Sequence, residues 1–429
     1  MLLKIFFCIT FYLVNISTIN ASRVLELSDK FSEVRRDGGL WFIMFYAPWC
    51  GHCKRLEPIW AQVAQSLYKS NVRVGRVDCT RFQNLAMEFG IQGYPTIKFI
   101  RGEVDVTYNG DRTREELVNF ALRMSGPPVQ EIKTETNMDL LKNSNSIFFM
   151  YVGKQSGPLW ATYNSVAEQF QPHGFFYSVS DDIAAKYFDL DDLPSVFVHK
   201  ESSHYFFNVV DADQSELEEA ESLNITLHKW INQERFATFP KITRYNMHEF
   251  LRTEKYLVLV VVEENQINEI PPEMAEFKDM VESVIRKKRD QFHKYFQFGW
   301  IGSPDLANSI AMMAVPLPFL IVLNSSTYHH HIPEDDPSQM TPDSIHMFLE
   351  SIYNQSAPIY GGNSFPVRLY RSYFEARAKL AEMWYGNPVL MVVLFGLPLG
   401  FLSLILYSTC CSDILDAEEE DYDDHEKKE

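Results

Sequence analysis

The chain has 429 residues, of which 46% are hydrophobic, so it can form several apolar cores and is not a wholly disordered protein. Its net charge of −18 argues against a general nucleic-acid binder, and its six cysteines are too few for a disulfide-stabilised scaffold. Residues 413–429 hold ten acids and two lysines, so nearly half of the negative charge belongs to a short terminal segment. We therefore expect about three domains and cysteines that act individually.

Residues 1–22 have the features of a secretory signal peptide. A lysine precedes an apolar run at 5–14, which is too short to span a bilayer. Ala21 and Ser22 are small enough to flank a cleavage site. An uncleaved membrane anchor is the alternative. Cleavage would remove Cys8 and leave five cysteines in the mature chain.

A pattern of strand, proline and second strand occurs three times in the middle of the chain. Continuous apolar runs of this kind are typical of strands buried in an α/β sheet, and helical periodicity appears between them. The spacing predicts three tandem α/β domains at 23–127, 128–238 and 239–355; unrelated α/β domains in series are the alternative. The predicted strand pairs are 40–46 with 93–100, 146–152 with 192–198, and 256–262 with 316–323.

Only the first domain has cysteines directly after its first predicted strand, in the segment Cys50-Gly51-His52-Cys53. A helix that begins at Cys50 favours the thiolate there through its dipole, and His52 can add positive charge. Stabilising the thiolate makes the corresponding disulfide more oxidising. Gly51 and His52, which lie between the cysteines, are therefore expected to tune the redox properties of the pair. Cys53, one helical turn further, is placed to attack a mixed disulfide formed at Cys50. The segment therefore predicts thiol–disulfide exchange.

Two other uses of these cysteines are weaker. A zinc site needs about four ligands, and Cys79 is the one further thiol on the predicted luminal side. An inert structural disulfide between Cys50 and Cys53 is the second alternative. We expect Cys79 to be a buried free thiol at the end of a strand, and His329–His331 to lie in a solvated loop. No metal site is expected.

The C-terminal part of the sequence predicts a membrane anchor. Glycine and proline clusters make 356–387 a predicted juxtamembrane linker, and 388–408 is a predicted transmembrane helix. No charged residue occurs within 383–412. The eighteen residues 389–406 are nearly all apolar, and at about 1.5 Å each they approach the thickness of the hydrocarbon core. A buried helix of a soluble protein is the alternative. Pro398 favours a kinked, monomeric span, and 409–429 is a predicted acidic cytosolic tail.

A cleaved signal followed by one span predicts that the bulk of the chain is luminal. The basic residues before the span oppose the positive-inside preference, but a long translocated domain is largely insensitive to that bias. Asn224, Asn324 and Asn354 begin sequons on the luminal side and are predicted glycosylation sites. Cys410 and Cys411, at the cytosolic end of the span, are candidates for lipidation, with inert thiols as the alternative.

Two segments carry a resemblance to a known family. Residues 45–54, Phe-Tyr-Ala-Pro-Trp-Cys-Gly-His-Cys-Lys, followed by Gly-Tyr-Pro-Thr at 93–96, resemble a catalytic thioredoxin domain of the protein disulfide isomerase family. This match covers about 24–126, and the order of elements along the chain resembles membrane-anchored members. The resemblance implies an α/β fold of three tandem thioredoxin-like domains, the first redox-active and two inactive, followed by a single transmembrane helix. It implies no cofactor.

The resemblance also implies roles for individual residues. Cys50 is then the attacking thiol and Cys53 the resolving thiol of a Cys50–Cys53 disulfide. Pro95 matches a cis-proline whose loop lies against the active site and presents backbone to the substrate. Arg112 matches a loop arginine that can swing towards the resolving thiol and lower its pKa; a solvated surface arginine is the alternative.

One position departs from the family pattern. Family members usually carry a buried acid in the strand before the motif, where it accepts the proton of the resolving cysteine. The matching position here is Met44. A general base is often worth about 10²–10⁴-fold in rate, so we expect slower disulfide transfer than in a relative that has the acid.

The resemblance, together with the predicted signal and span, implies a protein disulfide-isomerase of the endoplasmic reticulum membrane, single-pass and type I with its catalytic domain luminal. It would form or rearrange disulfides in folding secretory and membrane proteins. The predicted partners are clients with thiols or disulfides, and glutathione or an upstream oxidase, without nucleic acid. Glu-Lys-Lys-Glu at 426–429 resembles a di-lysine retrieval signal in imperfect register. The alternative, favoured by Met44, is a membrane-tethered chaperone or adaptor with weak or vestigial redox activity.

Overall fold

Three five-stranded sheets follow one another along the chain, and each has buried apolar clusters on both faces. The predicted signal peptide, the acidic tail, Cys410 and Cys411 lie outside the part of the chain that is described. The computed structural model describes residues 23–36, 38–144, 147–190, 192–208, 219–265 and 269–409.

The first unit contains the cysteine motif. Its elements are β1 (Leu25–Leu27), α1 (Phe31–Val34), β2 (Leu40–Tyr46), α2 (Gly51–Ser66), β3 (Val72–Asp78), α3 (Gln83–Glu88), β4 (Thr96–Arg101), β5 (Val104–Tyr108) and α4 (Arg114–Ser125). The strand order is β1-β3-β2-β4-β5. Strands β1, β3 and β2 run parallel, β4 runs antiparallel to β2, and β5 runs antiparallel to β4. The strand β2 is therefore central, which explains its continuous apolar sequence.

The second unit repeats this topology without the motif. Its elements are β6 (Gln130–Ile132), α5 (Glu135–Ser144), β7 (Ile147–Val152), α6 (Pro158–Phe170), β8 (Phe176–Val179), α7 (Asp181–Ala184), β9 (Ser195–Lys200), β10 (Ser203–Phe206) and α8 (Glu219–Glu234). The order β6-β8-β7-β9-β10 and the directions of its strands match those of the first sheet.

The third unit differs at its edges. Its elements are α9 (Met247–Leu251), β11 (Tyr256–Val261), α10 (Pro272–Lys287), α11 (Arg289–Phe292), β12 (Phe296–Ile301), α12 (Pro304–Ala311), β13 (Phe319–Asn324), β14 (His329–His331), α13 (Pro342–Tyr353) and β15 (Tyr360–Gly361). The order is β12-β11-β13-β14-β15. In the other two sheets, the first strand of the unit pairs in parallel at this edge. Here a single parallel bridge between Lys241 and Trp300 of β12 takes its place.

The predicted strands agree closely with the observed ones. The strand β2 has the predicted limits, and β7 and β11 differ from prediction by one residue. The second strand of each pair begins about three residues later than predicted, because each is preceded by a turn at its proline. All three of these prolines follow a cis peptide bond: Tyr94–Pro95, Leu193–Pro194 and Leu317–Pro318.

The predicted solvated loop at the histidine run is wrong. These residues form β14, which pairs with β13 and β15 at one edge of the third sheet. His330 and His331 are 2% and 5% exposed. His331 Nδ1 lies 2.8 Å from the Pro358 carbonyl oxygen, and His330 stacks on Tyr360. Imidazole is flat and partly apolar, so the ring of His330 packs on Tyr360 as an aromatic ring although its Nδ1 has no hydrogen-bond partner within the described residues.

Two further helices follow the third sheet. The region predicted as a linker contains α14 (Phe365–Gly386), and α15 (Pro388–Thr409) follows it. The helix α15 has 22 residues, and an 18-residue stretch of it has a mean hydropathy of 2.7, so it is long and apolar enough to cross a membrane. It widens into a π-helical turn at Val392–Gly396. Pro398 has no N–H to donate to the carbonyl four residues earlier, which accounts for irregular hydrogen bonding there.

Candidate active site at the start of α2

The cysteine motif lies where the central strand β2 leads into α2. Cys50 is the N-cap residue of that helix, with an extended backbone at φ −75° and ψ 114°. Its N–H donates to the Ala47 carbonyl at 3.1 Å, which fixes the turn after the strand. Gly51, the first helical residue, is exposed. The local fold thus presents the Cys50 thiol at the positive end of the helix.

The two thiols of the motif face each other across one helical turn. The Cys53 backbone N–H donates to the Cys50 sulfur at 3.3 Å, so the thiol serves as the helix cap. The Cys50 thiol donates to the Tyr94 carbonyl at 3.6 Å. Cys50 and Cys53 are 7% and 3% exposed, and both are free thiols. The structure is therefore that of a dithiol site.

The two thiols hold their protons with different strength. Burial disfavours the Cys50 thiolate, but hydrogen bonds from Cys53 and from the His52 backbone, with the charge of Arg112, outweigh it and lower the pKa of Cys50. Burial and the hydrogen bond to Cys50 raise the pKa of Cys53 to about 12. The first thiol is thus ready to ionise and the second keeps its proton.

His52 contributes through its backbone in this arrangement. Its ring is exposed, and Nδ1 accepts a hydrogen bond from Arg55 at 2.8 Å. The His52 backbone N–H hydrogen-bonds to the Cys50 sulfur and favours the thiolate.

The cis-proline loop lies beside the first thiol. Tyr94 supplies the carbonyl that Cys50 contacts, and its ring meets the ring of Trp49 edge-on, with centroids 6.0 Å apart. Trp49 is 72% exposed and so forms an apolar surface at the mouth of the site. The Pro95 carbonyl accepts a hydrogen bond from Arg112 Nη2 at 3.2 Å. Cys50, Pro95 and Arg112, which lie far apart in sequence, are thus brought together.

The position of the missing acid is apolar. Met44 is 1% exposed and belongs to the buried cluster that includes Leu56 and Trp60 of α2. Its side chain fills the space between the sheet and the helix that carries Cys53. A methionine there has no group to accept a proton.

Cys79 is a buried free thiol, as expected. It is 2% exposed in the cluster on the opposite face of the sheet, and burial raises its pKa to about 11. Across the described ranges, no three His, Cys, Asp or Glu side chains are grouped to hold a metal ion.

The predicted glycosylation sites lie far from the thiols in sequence. Asn224 lies on α8 and is half-buried, and Asn324 is the last residue of β13. Asn354 is exposed directly after α13.

Comparison with known proteins identifies thioredoxin domains in this chain. The thioredoxin family model matches residues 23–123, and a thioredoxin-like domain model matches residues 152–351. Protein disulfide-isomerase TMX3 of Xenopus laevis is 34% identical over 399 residues, which covers 92% of this chain and 84% of the relative. The Homo sapiens protein is 32% identical over 392 residues, with coverage of 91% and 82%.

The chain belongs to the protein disulfide-isomerase TMX3 family. This membership confirms the predicted enzyme class and the predicted fold class, a mixed α/β protein with thioredoxin-like domains and one apolar C-terminal helix. Among solved structures, zinc-bound human ERp44 aligns with 78% of this chain and 92% of its own at 15% identity and a TM-score of 0.34, a likeness too low to inform on function.

Sequence reasoning missed some residues at the site. Tyr94 directly precedes Pro95 in the Gly-Tyr-Pro-Thr segment, so the sequence could have indicated that it lies at the site. Tyr245 contacts Arg112 from the third unit, and Asp111 bonds to the same unit. No local pattern marks Tyr245 or Asp111, since they meet only through the tertiary fold.

Proposed function

We propose that the Cys50–Cys53 couple forms and rearranges disulfides in folding secretory and membrane proteins. The observation that supports this most is the arrangement of Cys50, whose sulfur caps α2 and accepts the Cys53 N–H at 3.3 Å. A thiolate favoured in this way is the nucleophile that exchange requires. Family membership supports the same chemistry.

The exchange proceeds in two balanced steps. The Cys50 thiolate attacks one sulfur of a client disulfide; that bond breaks, a mixed disulfide forms, and the second client sulfur leaves and takes up a proton. Cys53 then loses its proton and attacks the Cys50 sulfur, which releases the first client sulfur as a thiol. The client is reduced and the couple becomes the Cys50–Cys53 disulfide. Oxidation of a client dithiol is the same sequence in reverse.

The second step is the demanding one. Cys53 has a pKa of about 12, and Met44 offers no base to take its proton. We assign Arg112 the role of favouring the Cys53 thiolate through its positive charge. Pro95 is assigned to the loop that pairs with client backbone, since that loop lies within contact of Cys50.

The setting of this reaction is the endoplasmic reticulum membrane. The helix α15 would anchor the chain, with the thiol site luminal and the tail cytosolic. Glutathione or an upstream oxidase would return the couple to its starting redox state after each cycle. The units without the motif would provide surface for the client.

Trapping of mixed disulfides tests this function. In Cys53→Ala the second step is blocked, so clients should remain joined to Cys50 and appear as high-mass, reductant-sensitive species on non-reducing gels. The Cys50→Ala/Cys53→Ala protein is the matched control and should trap none. Equal client binding by both proteins, without covalent species in the single variant, would instead indicate the tethered adaptor.

A further inference from the structure

The loop that precedes α4 is held by the third unit. The Asp111 carboxylate accepts hydrogen bonds from Thr243 Oγ1 at 2.6 Å and from Asn246 Nδ2 at 2.9 Å. Thr243 and Asn246 are themselves joined, because the Thr243 N–H donates to Asn246 Oδ1 at 2.8 Å. Thr243 and Asn246 thus form a closed turn that holds the Asp111 carboxylate.

Arg112 lies between this turn and the thiol site. Its guanidinium carbon is 4.7 Å from the centroid of the Tyr245 ring, within the range of a cation–π contact. Its Nη2 donates to the Pro95 carbonyl at 3.2 Å. One side chain therefore touches the third unit at one end and the cis-proline loop at the other.

The charge of Arg112 acts on the reacting thiols from this position. It lowers the pKa of Cys50 and opposes the rise in the pKa of Cys53. The other groups that lower the pKa of Cys50 are Cys53, through its side chain and backbone, and the backbone of His52; both residues lie on α2. Arg112, unlike Cys53 and His52, also contacts Tyr245, so it links the third unit to the site.

We propose that Tyr245 is a positioning residue through which the third unit holds Arg112 at the cis-proline loop and so tunes Cys50. This inference rests on the proposed function for its consequence in catalysis. An arginine side chain is long and flexible, and water solvates its charge more favourably than the partly buried site does, so a contact is needed to hold it there. Without the ring, Arg112 turns towards solvent, and the thiolate loses part of its stabilisation.

Alkylation of Cys50 by iodoacetamide measures this effect directly. We expect Tyr245→Ala in the full-length protein to move the pH midpoint of alkylation upward. One pH unit below the wild-type midpoint, the rate should fall about two- to fivefold. Tyr245→Leu, which keeps apolar bulk without a π face, should behave like Tyr245→Ala. Tyr245→Phe should restore the wild-type profile.

A double-mutant cycle separates positioning from general damage. In the Arg112→Ala background, Tyr245→Ala should cause no further change, since the charge it positions is gone. Tyr353→Ala, at another exposed tyrosine of the third unit, should leave the alkylation profile unchanged. The proposal is overturned if Tyr245→Ala has the wild-type profile, or if its effect persists without Arg112.

Failure of the Tyr245 proposal can be distinguished from failure of the proposed function. Iodoacetamide reacts with Cys50 whether or not the protein acts on clients. A protein that traps no client in the Cys53→Ala form can still show the Tyr245 effect, and a protein that traps clients can lack it.

Discussion

Cys50 and Cys53 differ in acidity because their surroundings differ over a single helical turn. Cys50 receives backbone N–H groups at the start of α2, while Cys53, one turn further into the helix, is more deeply buried. The same hydrogen bond that lowers the pKa of Cys50 raises that of Cys53. Attack on a client therefore falls to Cys50, and release depends on removing the Cys53 proton.

This difference predicts selective alkylation. At pH 7, iodoacetamide should modify Cys50 more than tenfold faster than Cys53, since the thiolate fraction falls about tenfold per pKa unit. The Cys50 rate should decrease as the pH falls through a midpoint below that of an ordinary thiol. Peptide mass spectrometry of the labelled full-length protein measures both rates. Similar rates at the two cysteines would contradict the assigned order of attack.

Met44 predicts that release is slow. In Met44→Glu, a base near Cys53 should speed oxidation of the dithiol by glutathione disulfide about tenfold or more, as measured by stopped-flow fluorescence. Met44→Gln is the matched control, polar but not basic, and should not accelerate the reaction. Burying the new carboxylate should lower the free energy of unfolding by about 1–3 kcal/mol. An unaltered rate in the glutamate variant would show that Met44 does not limit release.

Among the elements, a buried charge cluster joins the second and third units. Glu234, at the end of α8, bonds to Lys200 at 2.9 Å and to Arg289 at 2.8 Å, and His293 contacts its other oxygen. Lys200 and Glu234 are 2% and 5% exposed. Burial opposes ionisation of Glu234, but its positive partners outweigh burial and hold its pKa well below the usual range.

Removing this carboxylate should destabilise the protein. Glu234→Gln leaves Lys200 buried without a counter-charge, so the free energy of unfolding in urea should fall by about 3–5 kcal/mol. The exposed Glu276→Gln on α10 should change it by less than about 0.5 kcal/mol. Because folding depresses the pKa of Glu234, its carboxylate stabilises the folded protein above the pKa it has in the unfolded chain, and this stabilisation is lost as the pH falls. The stability of Glu234→Gln should not show this decrease at low pH. An equal effect of the two variants would contradict the role of the cluster.

The sequence predicts well those elements whose own residues form a recognisable pattern. The strand β2 has seven consecutive apolar or aromatic residues, and the cysteine motif follows it directly, so both could be located from their own residues. The burial of His330 could not be predicted, because a polar residue gives no sign of the partner it will find. The contact of Asp111 with Thr243 spans 132 residues, and no local pattern indicates which surfaces meet.

In the whole molecule, polar contacts connect all three units. Gln171 donates to the carbonyls of Arg123 and Gly126 at 2.7 and 3.0 Å, which joins the first and second units. The Glu234 cluster joins the second and third, and Asp111 joins the first and third. The thiol site is thus held in a defined relation to the unit that precedes α14 and the apolar helix α15.

The proposed orientation predicts glycans on the second and third units. In secretory cells, the full-length protein should gain mobility on gels after an endoglycosidase removes its glycans. Asn354→Gln, at the exposed sequon, should remove one glycan, and Asn224→Gln and Asn324→Gln one each. A protein whose mobility does not respond to the enzyme would contradict a luminal location of these units.

The most direct test of the central claim is transfer of a disulfide by the purified full-length protein. The protein is oxidised, mixed in detergent with a peptide that has two thiols, and the peptide disulfide is followed by mass spectrometry. Wild type should oxidise the peptide well above the uncatalysed rate while its own couple is reduced, and Cys50→Ala should fall to that background. Transfer that survives in Cys50→Ala, or wild-type transfer no faster than background, would contradict the assignment of the Cys50–Cys53 couple as the active site.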